Sequence, residues 1–133
     1  MQYNKNRHSC YKLTYRLVVV TKYRHPVINE TIKNRLIEII TDIIETNWNC
    51  HLIEINGTED HLHLLFDAPP QVQLSKLVNN LKTVSSRLIR KEFSEHLKPY
   101  YWKPYFWSNS YLILTTGGAT IDIIKSYIEN QDK

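Results

Sequence analysis

The sequence predicts an α+β fold: an antiparallel sheet with helices packed on one face. Two observations predict it. Segments with a two-residue hydrophobic period and segments with a helical period follow one another in the order β-α-β-β-α-β-β-α. The second and third strands are separated only by Gly57-Thr58-Glu59-Asp60, a hairpin loop, so they run antiparallel. A length of 133 residues suits one domain, 1–133, with a single two-layer core.

Tyr11 to Thr21 alternates and is rich in β-branched and aromatic residues, which makes it a strand. Pro26 and Asn29 punctuate the chain after it, and Asn29 is placed to cap a helix. From Glu30 to Thr46, Ile32, Leu36, Ile39, Ile40, Ile43 and Ile44 recur at helical spacing. His51–Asn56 and His61–Asp67 form the hairpin, and Pro69-Pro70 ends it. Gln73 to Lys91 is a second amphipathic helix, with Leu74, Leu77, Val78, Leu81, Val84 and Leu88 as its apolar stripe. Tyr100 to Thr115 reads as two strands turning at Ser108-Asn109. Gly117-Gly118 breaks the pattern, and Thr120 to Asn130 is a last helix. The β-α-β-β-α-β part fits a ferredoxin-like or RRM-like sheet with the 61–67 strand at its centre.

Positive charge is clustered. The formal net charge is +4, and the first 29 residues hold Lys5, Arg7, Lys12, Arg16, Lys22 and Arg24 with no acid. A second cluster is Lys76, Lys82, Arg87, Arg90 and Lys91. Clustered cations beside a globular core point to a polyanion, nucleic acid first. Cys10 and Cys50 have no ligand-like spacing, which argues against a disulfide framework or a cysteine zinc site and favours a reducing, cytoplasmic location. No apolar run reaches the ~20 residues of a membrane helix, so no membrane partner is expected. The three glycines cannot form a phosphate-cradling loop, which excludes a nucleotide cofactor of that kind.

Asp60-His61-Leu62-His63-Leu64-Leu65-Phe66 carries the strongest chemical signal. Residues i and i+2 of a strand share a face, so His61 and His63 present two imidazoles side by side. Leu62, Leu64 and Phe66 take the opposite, core-facing side. Two neutral imidazoles on a rigid strand make half of a metal site. Glu54 is expected opposite His63 across the hairpin, and it or Asp60 is a candidate to orient an imidazole by hydrogen bonding. His51 lies too far along the hairpin to share a metal, and His8, His25 and His96 read as surface residues. In the last helix, Ile121, Ile123, Ile124 and Ile128 mark an inward side. Tyr127 and Gln131, at i and i+4, stack within the same arc.

Five segments in order then resemble one family. They are Val20-Thr21-Lys22-Tyr23-Arg24, the Asp60–Leu65 run, Phe106-Trp107-Ser108-Asn109-Ser110-Tyr111, Gly117-Gly118, and Lys125-Ser126-Tyr127-Ile128-Glu129-Asn130-Gln131. Together they resemble the single-tyrosine HUH transposases of small prokaryotic insertion sequences. The resemblance implies Tyr127 as nucleophile and His61, His63 and Gln131 as ligands of a divalent metal, Mg²⁺ or Mn²⁺. It also implies cleavage and rejoining of single-stranded DNA through a 5′-phosphotyrosine. The implied partners are single-stranded DNA hairpins at element ends and a second copy of the chain. In such a homodimer the tyrosine helix can serve the partner's histidines, and the backbone freedom of Gly117-Gly118 just before that helix suits a hinge. Lys22, Arg24, Lys76, Lys82, Arg87, Arg90 and Lys91 are the candidates to hold DNA phosphates, and the tyrosine- and tryptophan-rich run from Tyr100 to Tyr111 suits unpaired bases or a dimer interface. Two other readings stay open on the residues alone. One is a non-catalytic RRM-like nucleic-acid-binding module, which needs neither metal nor Tyr127. The other is a HUH nickase of the replication-initiator type.

Overall fold

The computed structural model describes residues 13–115 and 121–131. Lys5, Arg7, His8, Lys12, the Tyr11 end of the first strand and the Gly117-Gly118 pair lie outside the described residues. Strand β1 is Leu13–Val20, helix α1 Glu30–Asp42, β2 His51–Gly57, β3 His61–Ala68, α2 Leu74–Glu92, the single turn α3 Ser94–Leu97, β4 Leu112–Thr115 and α4 Ile121–Glu129. The sheet order is β2-β3-β1-β4 with every neighbouring pair antiparallel. That is the ferredoxin-like order expected for β-α-β-β-α-β.

The two-residue period of the central strands sorts their side chains. Leu17 and Val19 of β1 and Leu62, Leu64 and Phe66 of β3 are fully buried in the core. They pack with Ile32, Leu36 and Ile40 of α1 and Leu77, Val78 and Leu81 of α2. Burying each such side chain contributes about 1.5–3 kcal/mol. The other face of β1 and β3 is left to Arg16, Val18, Val20, His61 and His63. Register fixes these relative to one another, with Val18 opposite His63 and Val20 opposite His61.

Asn29 caps α1 as its side-chain type predicts, its Oδ1 accepting from the Ile32 amide at 2.8 Å. The regular helix stops at Asp42 rather than Thr46. Residues Ile43–Asn47 form a wider π turn, in which Ile43 and Ile44 both stay buried.

Three other expectations need correction. The Tyr100–Thr115 segment forms one strand, not two. Residues 101–111 are an irregular crossing tied to the sheet by a lone Thr21–Trp107 bridge. Its aromatic residues are placed by packing and polar bonds. Tyr101 donates its hydroxyl to the Lys22 carbonyl at 2.7 Å, and Trp107 Nε1 donates to Ser85 Oγ at 2.9 Å. That second bond also explains the helix stripe: Ser85 and Ile89 of α2 are fully buried, whereas Val84 and Leu88 are only half-buried. The third concerns the hairpin. Pairing continues past Asn56, with Gly57 facing Leu62 and the Thr58 amide donating to the His61 carbonyl at 2.9 Å, so Asn56 faces His63 and Glu54 faces Leu65; a bulge between Leu52 and Glu54 then shifts the register by one.

Gly57 sits where β2 turns toward His61. A Cβ built there would lie 2.6 Å from the His61 carbonyl oxygen and 2.9 Å from Leu62 Cδ2. The contact with backbone cannot be relieved by a rotamer. Gly57→Ala is therefore expected to destabilise the fold by about 1–3 kcal/mol, the usual cost of overpacking. Denaturant unfolding checks this, and an unchanged midpoint would contradict it.

Candidate functional site

His61 is held from below its ring. Its Nδ1 lies 2.8 Å from Asp60 Oδ1 and 3.0 Å from Thr58 Oγ1. Asp60 in turn accepts from Arg24 Nε and Nη2 through Oδ2, both at 3.3 Å. Burial works against a charged Asp60, yet the bond and charge of His61, then of Arg24, outweigh it and hold its pKa below the ordinary value. An ionised Asp60 fixes the proton on His61 Nδ1 and leaves the Nε2 lone pair free to bind a cation.

Arg24 reaches Asp60 from an unusual backbone. Tyr23 and Arg24 both have positive φ, 60° and 55°. Two successive non-glycine residues in the left-handed region carry strain. Contacts on either side hold it. Thr21 donates its amide to the Asp60 carbonyl at 2.9 Å and its hydroxyl to the His25 carbonyl at 2.8 Å.

His63 follows on the same face, its ring centroid 6.4 Å from that of His61. Burial pushes the His63 pKa down, the neighbouring His61 and Arg16 push it the same way, and Glu54 opposes them in part. His63 thus stays neutral, the ligand form, at neutral pH. Among the described residues, no three His, Cys, Asp or Glu side chains converge. A metal held here needs a further ligand of another type.

The two histidines open into a cavity of ≈ 590 Å³ between the sheet and α4. Arg16, Arg24, His61 and His63 line its sheet side, and Ile124, Lys125, Ile128 and Glu129 its helix side. Tyr127 and Gln131 share a face, as their spacing requires, but they meet at Ser110 instead of lining this cavity. Ser110 Oγ is 2.9 Å from the Tyr127 hydroxyl and donates to Gln131 Oε1 at 2.9 Å. Gln131 Nε2 donates to the Tyr127 carbonyl at 3.1 Å. Burial raises the Tyr127 pKa, and the Ser110 bond only partly offsets this. Ile123, expected inward, is 44% exposed.

This arrangement combines two adjacent imidazoles, one of them oriented by Asp60, a helix carrying a tyrosine with an amide just past its end, and a cavity between the imidazoles and that helix. The family model of IS200-like transposases matches residues 9–131. The chain belongs to that family. It is a transposase, which sets aside the reading as a non-catalytic module. It is 34% identical to the ISDra2 transposase TnpA of Deinococcus radiodurans, over 98% of this chain and 92% of that one. It is 29% identical to the IS200 transposase of Salmonella typhimurium, over 93% and 80%. A Deinococcus radiodurans transposase crystal structure superposes with TM-score 0.87 at 36% identity, covering 97% of this chain and 98% of that one. A REP-associated tyrosine transposase bound to a REP hairpin gives TM-score 0.60 at 11% identity, over 95% and 68%, a likeness of fold alone.

The transposase's basic candidates fall in different places. Lys76, Arg87 and Lys91 are exposed along α2. Lys82 is half-buried, its Nζ donating to the Ser108 carbonyl at 2.7 Å and the Ser110 carbonyl at 3.2 Å, and burial lowers its pKa. It holds the loop that bonds Tyr127. Lys22 lies 4.9 Å from the Tyr105 ring centre, and Arg90 bonds Ser86. His25 and His96 are not free surface residues. His25 packs among Tyr23, Tyr100 and Tyr101, and His96 Nε2 contacts the Val27 carbonyl at 2.9 Å. Sequence reasoning missed Ser110, which no periodicity marks. It also missed Arg16, Lys125 and Glu129 as cavity residues. Arg16 was findable only once the β1–β3 register was known. No helix among the described residues is long and apolar enough to cross a membrane.

With burial, then the neighbouring His61 and Arg16, disfavouring its proton, the His63 imidazole is expected to titrate below the ordinary value of about 6.5. Proton competition for a metal at this ring then fades at a lower pH than for a free imidazole. NMR titration of the ring protons, assigned with His63→Gln, checks this. A midpoint at or above the free-imidazole value would contradict it.

Proposed function

We propose that the transposase cleaves and rejoins single-stranded DNA at a site formed by His61 and His63 with Tyr127, through a covalent 5′-phosphotyrosine. The observation that carries this reading is the Asp60-oriented His61 beside a neutral His63, facing a cavity whose other wall is the tyrosine helix. The donor set fits a divalent cation of the Mg²⁺ or Mn²⁺ type: two imidazoles, with the Gln131 amide oxygen as the candidate third ligand. Bound there, such a cation supplies charge neutralisation at a phosphate oxygen and polarises phosphorus.

The chain's own groups do the rest. The Tyr127 oxygen attacks phosphorus, its bond to phosphorus forms as the bond to the 3′ oxygen breaks, and the leaving strand ends in a 3′-OH. The ester conserves the bond energy, so a later 3′-OH reverses the step and rejoins strands without a nucleotide cofactor. To react, Tyr127 must give up its Ser110 bond, and Gln131 must do the same to become a ligand. Movement of α4 together with the residues that follow it satisfies both, because Ser110 bonds both groups and Ser108 adds only a longer contact to Gln131. In a homodimer that helix serves the partner's histidines.

DNA hairpins are the proposed substrate, held as phosphates by the exposed cations of α2 and as bases by aromatics. Trp102 is 85% exposed with Lys103 Nζ 4.8 Å from its ring centre, a platform suited to unpaired bases. The whole chain, 1–133, acts as one catalytic domain in the cytoplasm.

Tyr127→Phe is expected to abolish the covalent adduct on a denaturing gel while hairpin binding persists. His61→Ala, His63→Ala or EDTA should stop cleavage without unfolding the protein, and Gln131→Ala should slow it less. An undiminished adduct in any of the first three, or cleavage by metal-free protein, would reject these roles. Mixing inactive His61→Ala with inactive Tyr127→Phe is expected to restore cleavage, since one heterodimer site then holds both intact halves. Exchange of subunits without recovery would place the helix in cis.

A further inference from the structure

Arg16 is an anomaly of placement. It lies on β1, one of the two central strands, on the same face as the histidines, with Leu65 opposite on β3 and Leu114 opposite on β4. A guanidinium between two leucines gains nothing from packing that an apolar residue would not supply. Charged side chains in such settings are normally paired. Arg24, the other arginine lining this cavity, is paired with Asp60. Arg16 forms no ion pair with any described residue, and its charge is felt at His63.

Position adds meaning. Val18 is opposite His63, so Arg16 is two residues further along β1, roughly 7 Å past the level of that imidazole. Arg24 stands at the other end, on Asp60 beside His61. The two guanidiniums therefore bracket the histidine pair, and both line the same cavity.

From this placement we propose that Arg16 is an anion site for the DNA backbone: it binds a phosphodiester of the single strand lying across His61 and His63, next to the phosphate that reacts. The planar fork of arginine suits two oxygens of one phosphate. This rests on the function proposed above, since it requires a single strand in the histidine cavity. It differs from the α2 cations in its target, the strand entering the site and not the hairpin stem.

Two oligonucleotides separate the possibilities: a hairpin alone, and the same hairpin with a single-stranded tail spanning the cleavage position. Binding is measured without metal, and adduct formation with Mn²⁺. Arg16→Ala is expected to weaken tailed-hairpin binding about tenfold, the loss of one charge-assisted contact, and leave the bare hairpin unchanged. The slope of log affinity against log salt should fall by about 0.7 for the tailed substrate, one single-strand phosphate contact. Arg16→Lys should recover part of the affinity. Direct Mn²⁺ binding should be no weaker in Arg16→Ala. Equal losses on both oligonucleotides, no loss on either, or loss of Mn²⁺ binding would overturn the proposal. If the wild type binds the tail through Arg16 but forms no adduct, the anion site stands and the cleavage reading falls.

Discussion

The two-residue period of β3 is the constraint on which the site depends. Leu62, Leu64 and Phe66 are fully buried against α1 and α2. They cannot shift by one residue without exposing three large apolar side chains and burying two imidazoles in their place. The core therefore fixes His61 and His63 on the opposite face, at a spacing the backbone sets. Pairing with β1 on one side and β2 on the other removes the remaining freedom. The cost of assembling the imidazole pair is met by folding, before any ligand arrives.

Electrostatics then divides the labour between the two rings. Asp60 serves both His61 and Arg24, so one carboxylate orients an imidazole and restrains the strained turn that carries the arginine. His63 sits among neighbours that disfavour its proton. One ring is made directional and the other is kept neutral. The tyrosine half follows a different rule. Tyr127 and Gln131 both bond the Ser110 hydroxyl, and Ser108 Oγ is a second, longer donor to Gln131 at 3.4 Å, on a loop that Lys82 clamps by two carbonyls. The sheet half is rigid and the helix half is held by a few polar bonds, each worth about 0.5–1.5 kcal/mol net. In the proposed mechanism, movement falls to the helix half.

Much of this was legible in the sequence. Strand alternation gave the histidine face, the four-residue spacing brought Tyr127 on α4 and Gln131 just past its end to one serine, and Asn29 marked the start of α1 through its capping chemistry. The failures share a cause. Residues 101–111 alternate like strands, but Tyr101 and Trp107 are fixed by bonds to Lys22 and Ser85, long-range partners that no local period announces. Pairing ran on into the expected loop, with Gly57 opposite Leu62 and the Thr58 amide on the His61 carbonyl, and this put Asn56 rather than Glu54 opposite His63. Lys82 looked like a phosphate ligand because its charge was visible, while the carbonyls that occupy it lie 26 and 28 residues away. Arg16 looked like one of many N-terminal cations until pairing placed it beside His63.

The central claim is that a tyrosine on α4 completes a site whose other half the sheet fixes. The most direct test is to form the adduct with a single-stranded substrate, digest the protein and locate the nucleotide by mass spectrometry. The account predicts a 5′-phosphonucleotide on Tyr127 and on none of the other eight of the chain's 9 tyrosines. Attachment to Tyr111 or Tyr105, or a nucleotide joined through its 3′ end, would contradict it.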